Sequence, residues 1–111
     1  MSVQYTVKIT RPAERQMQEI VDYISHRLQN PSAAYHLLEK LEREINSLSV
    51  YPYRIVLTPE EPWHSMGIHR MTVGNYLVYF WIDEAARKVQ VTCVVYARRD
   101  QREQLANMDL G

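Results

Sequence analysis

The chain has 111 residues, 13 of them basic and 13 acidic, so its formal charge is zero. That length makes a single domain, residues 1–111, with a modest core. Neutrality excludes bulk electrostatic attraction to nucleic acid or to a membrane surface, so any anionic partner must be met by a local cluster.

The first elements follow directly from spacing. Val3, Tyr5, Val7 and Ile9 alternate with Gln4, Thr6 and Lys8, which predicts a half-buried strand. Thr10 can cap a following helix and Pro12 is tolerated in its first turn. Ala13, Met17, Ile20, Val21, Ile24 and Leu28 then recur at helical spacing, predicting a helix over 12–29. Asn30-Pro31 ends it and caps a second helix over 31–50, whose stripe is Leu37, Leu38, Leu41, Ile45 and Leu48. The short connection predicts an antiparallel helical hairpin laid on one face of a sheet. Tyr51-Pro52-Tyr53 breaks the second helix. Residues 54–66, with Pro59, Pro62, Glu60, Glu61 and Trp63, predict an irregular loop with a short strand at Arg54–Leu57.

Gly67 to Asp100 organises the rest of the chain as three consecutive strands. Gly74-Asn75 suits a tight hairpin, Tyr76 to Ile82 is apolar on both parities as in a central strand, and Asp83 to Lys88 reads as a turn. Val89, Val91, Cys93 and Val95 alternate with Gln90, Thr92, Val94 and Tyr96. The odd positions predict a core face and the even ones a face open to water or a ligand. Arg98 shares the parity of Tyr96, so both are expected on that open face. Residues 101–110 predict a short C-terminal helix of one or two turns. The class is α+β: an N-terminal strand, a two-helix antiparallel hairpin, then a three-strand antiparallel meander.

Cys93 is the chain's one cysteine, at a core-parity position. It reads as a buried, inert thiol, excludes a disulfide framework within the chain and fits a cytoplasmic location. No run approaches the ~20 apolar residues of a membrane span, and MSVQYTVKIT carries no signal-peptide pattern.

Candidate chemistry concentrates around the meander. RNA cleavage at a 2′-hydroxyl needs a base, an acid and a cation for the phosphorane charge. His69 offers the base, Arg70 and Arg98 the cations, and Tyr96 an acid or a stacking platform. The plainer reading makes His69 and Arg70 ordinary strand residues, with Arg70 paired to Glu60 or Glu61. Arg98, Arg99 and Arg102 could bind phosphate or an acidic partner, or form a solvated strand end neutralised by Asp100 and Glu103. His64 and His69, five residues apart with no cysteine nearby, make no metal site. No Gly-rich phosphate loop or nucleophile elbow implies a cofactor. Trp63 and Trp81 read as core or loop anchors.

The ordered set of local patterns resembles the RelE/ParE superfamily of toxins from bacterial type II toxin–antitoxin modules. Tyr5-Thr6-Val7-Lys8-Ile9-Thr10, Ala13 and Tyr23-Ile24 resemble its first strand and helix, and Leu48 with Pro52 its end of the second helix. Arg70, Gly74, Tyr76 and Tyr79, followed by Val95-Tyr96-Ala97-Arg98-Arg99-Asp100, resemble the ParE and plasmid-stabilisation branch more than the RelE branch. The resemblance implies a toxin neutralised by a cognate antitoxin. In the ParE branch the target is DNA gyrase; in the RelE branch the toxin is a metal-independent endoribonuclease that cuts mRNA on the ribosome. RelE-type nucleases carry an arginine directly before the Leu-Val-Tyr of the central strand, where this chain has Tyr76, and a tyrosine or histidine near the C-terminus, which 101–111 lack. Both departures, with the zero net charge, favour target binding over cleavage. A non-toxic partner-binding module is the third reading.

Overall fold

The computed structural model describes residues 4–111; Val3, which the alternation assigns to the first strand, lies outside them. Strand β1 (Thr6–Ile9) is followed by helix α1 (Arg11–Asp22), a π-helical turn (Tyr23–Arg27) and helix α2 (Pro31–Asn46). Then come the meander strands β2 (His69–Val73), β3 (Tyr76–Asp83) and β4 (Lys88–Tyr96), and the short helix α3 (Gln101–Ala106). The sheet order is β1-β4-β3-β2. β2, β3 and β4 are antiparallel, while β1 lies parallel to the first half of β4, from Thr6 beside Lys88 to Ile9 beside Val91.

The helix ends obey their caps. Thr10 Oγ1 accepts from the Ala13 amide at 3.4 Å and Asn30 Oδ1 from the Ala33 amide at 3.1 Å, with a proline in each first turn. Both helices lie on the same face of the sheet. Ala13 and Met17 of α1 meet Leu41 and Ile45 of α2 over Val78, Phe80, Val89 and Val91, with Leu48 beyond the end of α2.

A β-bulge governs β4. Phe80 is paired with Val91 and Tyr79 with Cys93, which leaves Thr92 as an extra residue on β4. The side-chain alternation therefore slips by one. Val89 and Val91 face the helices before the bulge and Val94 faces them after it, whereas Cys93 and Val95 face the opposite side. The simple odd-in, even-out reading of residues 89–96 fails at this point. The strand also ends at Tyr96, and Arg98 sits in the turn beyond it rather than on a shared strand face.

The second face is not open. Trp63 from the 54–67 connection, Leu105 of α3, Met108 and Leu110 close over Tyr79, Cys93 and Val95. Trp81 Nε1 donates to the Leu110 carbonyl at 2.8 Å, and Thr92 Oγ1 to Met108 Sδ at 2.8 Å. Cys93 is fully buried, and burial pushes its thiol up to about 11. The expected strand at Arg54–Leu57 is instead a 3₁₀ turn, Pro52–Arg54, entered through Tyr51 at φ 49°, then an extended run making one bridge, Leu57 to His69. That run bonds β2 through the Thr58 amide to the Ile68 carbonyl (2.8 Å) and the Arg70 amide to the Val56 carbonyl (3.1 Å). Pro59 follows immediately and cannot donate to a ladder. Among the described residues no helix is long and apolar enough to cross a membrane.

The bulge makes a prediction that simple alternation contradicts. Val94 is 1% exposed and Val91 fully buried, so Val94→Asp should destabilise as severely as Val91→Asp. Each places a carboxylate without a partner in an apolar layer, at a cost of about 3 kcal/mol or more. Thermal melts check this; a Val94→Asp melting temperature within a few degrees of the parent would restore the unbulged register.

Candidate functional site

A cleft of about 690 Å³ lies between α1 and the far half of β4. One wall carries Gln16, Glu19 and Ile20 of α1 with Tyr23, Ile24 and Leu28 from the π-helical turn and its end; the floor is Val94, Val95, Tyr96 and Tyr76; Arg99 and Gln104 close one end. It exists because β1 is shorter than β4. β1 leaves its neighbour after Ile9, opposite Val91, and the chain turns into α1, so among the described residues no strand pairs with the outer edge of β4 past the bulge. Gln16 Oε1 reaches into this gap and accepts from the Val94 amide at 2.8 Å.

The cleft is aromatic and partly exposed. Tyr76 and Tyr96 are cross-strand partners whose rings meet edge to face at 5.5 Å. Burial raises the Tyr76 hydroxyl above its ordinary value, with smaller contributions from Tyr96 and Tyr23. Tyr23 is 52% exposed and Leu28 57%. The Arg27 guanidinium lies 6.0 Å from the Tyr23 ring, within cation–π range.

The residues suggested for catalysis are not brought together. His69 and Arg70 are adjacent on β2 and therefore leave it on opposite faces. His69 points to the helix side, 7% exposed. Its Nδ1 donates to the Ile55 carbonyl at 2.7 Å, and its ring stacks on Phe80 with 5.0 Å between centroids. Arg70 points to the other side and pairs with Glu60 at 3.4 Å, the plainer of the two readings. Its strand position is paired with Tyr79, and Tyr79 with Cys93. Tyr96 is thus about 10 Å farther along the sheet and about 10 Å across it. Of the four candidates only Tyr96 lines the cleft. Arg98 is in the following turn.

The suggested partner-binding arginines also separate. Arg99 lines the cleft, and among the described residues neither Arg98 nor Arg99 forms an ion pair. Arg102 turns toward the opposite layer, where its guanidinium donates to the Glu61 carbonyl at 3.5 Å. Asp100 is occupied as the cap of α3, accepting from the Glu103 amide at 3.2 Å.

A polar cluster at the opposite end of the sheet lies beside His69. The hydroxyls of Tyr5 and Tyr53 both donate to Glu84 Oε2, at 2.8 and 2.7 Å, and Arg87 pairs with Glu84 at 2.9 Å. Those hydrogen bonds hold the Glu84 carboxyl below its ordinary range, while the bond to Glu84 pushes the Tyr53 hydroxyl up to about 12. The Tyr53 ring then stands edge-on to His69 at 6.1 Å.

Sequence reasoning did not assemble Gln16, Ile20, Tyr23, Leu28 and Tyr76 into a site. The available signal was the helical stripe running on to Leu28, past the last residue of α1 that is buried, Met17.

Fold and cleft together define a small mixed sheet carrying one helical hairpin, with a groove where its first strand departs. The sequence profile described as the ParE toxin of the type II toxin–antitoxin system, parDE, matches residues 7–101, and the chain belongs to that family. No curated protein matches it. Among solved structures, the chromosomal ParDE toxin–antitoxin system from P. aeruginosa is similar with a TM-score of 0.71 and 18% identity, over 87% of this chain and 100% of that one. The toxin–antitoxin complex RelBE2 from Mycobacterium tuberculosis is similar with a TM-score of 0.58 and 23% identity, over 85% of this chain and 92% of that one. At these identities the two structures show a shared fold.

Burial of His69 gives the protein a pH dependence. Desolvation pushes its imidazole below the ordinary value and outweighs the opposing hydrogen bond to Ile55. The unfolded chain therefore binds more protons than the folded one from that lowered value up to about pH 6.5, and stability falls as pH drops through about 6.5. Chemical denaturation at about pH 7.5 and about pH 5.5 should show a loss that shrinks in His69→Gln. An equal loss in the variant would assign the dependence to other groups.

Proposed function

We propose that this chain is the toxin of a type II toxin–antitoxin module, neutralised by a cognate antitoxin, and that it acts by binding DNA gyrase rather than by cutting RNA. Membership of the ParE family supports the first part. The P. aeruginosa neighbour is a ParDE toxin–antitoxin system and the M. tuberculosis neighbour a toxin–antitoxin complex, which supports an antitoxin partner here. The observation that carries the second part is the opposed placement of His69 and Arg70. A general base must reach the proton it abstracts, and a cation must lie where charge develops. His69 is buried against Phe80, and Arg70 is on the opposite face with Glu60. Tyr76, where RelE-type nucleases carry arginine, contributes aromatic surface to the cleft instead of a cation. In this reading Arg98 and Arg99 serve partner recognition, with Arg102 on the margin.

RNA cleavage is the second reading, because Tyr96 and Arg99 share the cleft with Arg98 in the turn between them. The two are separated by inducing the wild type and Arg98→Ala without antitoxin and mapping mRNA ends on translating ribosomes. Intact message during growth arrest is expected for both. Codon-phased cleavage by the wild type, reduced ~10²–10³-fold in Arg98→Ala as for loss of a transition-state contact, would overturn the proposal.

A further inference from the structure

β1 is an edge strand whose outer side is open. Parallel pairing turns the backbone of Thr6, Lys8 and Thr10 toward β4: the Thr6 amide donates to the Arg87 carbonyl at 2.9 Å and the Thr10 amide to the Val91 carbonyl at 3.0 Å. Tyr5, Val7 and Ile9 therefore turn the other way. The Tyr5 amide is taken by the Ser49 carbonyl at 2.8 Å, but the amides and carbonyls of Val7 and Ile9 have no backbone partner among the described residues. Beside them lies a hollow of about 290 Å³, lined by residues 8–12 with Asp109 and Gly111, none of which lines the cleft. Its charge is unbalanced. Lys8 and Arg11 are exposed, and among the described residues neither forms an ion pair. Asp109 is the one carboxylate of the lining, and it accepts from the Gly111 amide at 3.0 Å. Arg11 is the first residue of α1, where the helix macrodipole disfavours a cation, so helix stability does not account for it.

We propose that the target docks on this edge, adding an extended acidic segment of its own to β1. This rests on the gyrase-binding reading above and specifies the surface that the target meets. The outward groups of Val7 and Ile9 give the segment its main-chain bonds, as in other cases of strand addition. The two faces of β1 set its composition. Side chains that fall beside exposed Thr6 and Lys8 meet a polar, cationic surface extended by Arg11, which selects carboxylates. Those that fall beside half-buried Val7 and Ile9 meet an apolar one. β1 has four residues, so the segment is short, about three to five residues at ~3.3 Å each. A second copy of this chain fits the edge poorly. Antiparallel pairing of two such edges about Lys8 sets that lysine across from its own copy, and like charges directly opposite destabilise a pair.

The test uses purified DNA gyrase and the antitoxin encoded beside the gene. Lys8→Glu with Arg11→Glu should raise the concentration of chain that half-inhibits supercoiling about tenfold or more, and Lys8→Gln with Arg11→Gln should raise it less. Both side chains are exposed, so melting temperature and antitoxin affinity should stay at the parent's. In residue-resolved hydrogen exchange, saturating gyrase should slow the Val7 and Ile9 amides about tenfold or more. Inhibition at the parent's level by both double variants overturns the acidic segment and leaves the gyrase reading standing. Val7 and Ile9 amides that exchange in the complex as in the free chain overturn the strand addition. Antitoxin affinity that falls together with inhibition overturns the assignment of this edge to the target. Failure of the folded wild type to inhibit gyrase removes the gyrase reading and this proposal with it.

Discussion

The bulge at Thr92 is the constraint on which the rest of the structure depends. β4 lies between β1 and β3 for its first half, and it is buried on both faces along most of its length. A regular strand would keep one set of side chains on the helix side throughout. The extra residue lets Val89, Val91 and Val94 all serve the helix layer, while Cys93 and Val95 serve the layer beneath Trp63 and α3. It also adds local twist where β1 stops and α1 begins. The inserted residue thus sets which side chains of β4 serve each layer, and it lies where β1 ends and the cleft opens.

Two layers of unequal character follow. The helix layer is built mainly from aliphatic stripes, with Tyr5 and His69 the polar residues bonded at its edge. The opposite layer is assembled from irregular chain and held by specific contacts: Trp81 to the Leu110 carbonyl, Thr92 to Met108, Arg70 to Glu60. Removing Arg70 would leave Glu60 still bonded to Thr58 Oγ1 at 2.7 Å, so this pair is one member of a local network rather than an isolated bridge. The 3.4 Å separation and partial exposure place its own contribution at the weak end, about 1 kcal/mol or less.

The architecture is legible because its signals are local and periodic: two capped helical stripes, one tight hairpin at Gly74-Asn75, and apolar patterning in β1 and β3. The bulge is not legible. Nothing in Gln90 to Tyr96 marks Thr92 as the extra residue, since a bulge is defined by the register with the partner strand. The covered second face is hidden from sequence for a related reason. Leu105, Met108 and Leu110 are too few and too irregularly spaced to announce a core layer, yet each finds a place over β3 and β4. For the site, adjacency of His69 and Arg70 in sequence suggests a pair, whereas strand geometry puts neighbours on opposite faces. The alternative that Arg70 pairs with Glu60 is visible in composition and is what the structure contains. Arg99 and Tyr96 are marked by sequence as part of the basic end of β4. The wall they face, Ile20 to Leu28, carries the same helical spacing as a core stripe and so gives no sign of a cleft.

On the proposed reading the chain acts by binding its target, so its effect should scale with the fraction of target bound. The most direct measurement is a supercoiling assay with purified DNA gyrase and relaxed plasmid, titrated with the purified chain free of antitoxin. Supercoiling should fall and the loss should saturate as the chain approaches and exceeds the gyrase concentration, with recovery when antitoxin is added. Undiminished supercoiling at a large excess of folded chain would rule out gyrase binding as its mode of action.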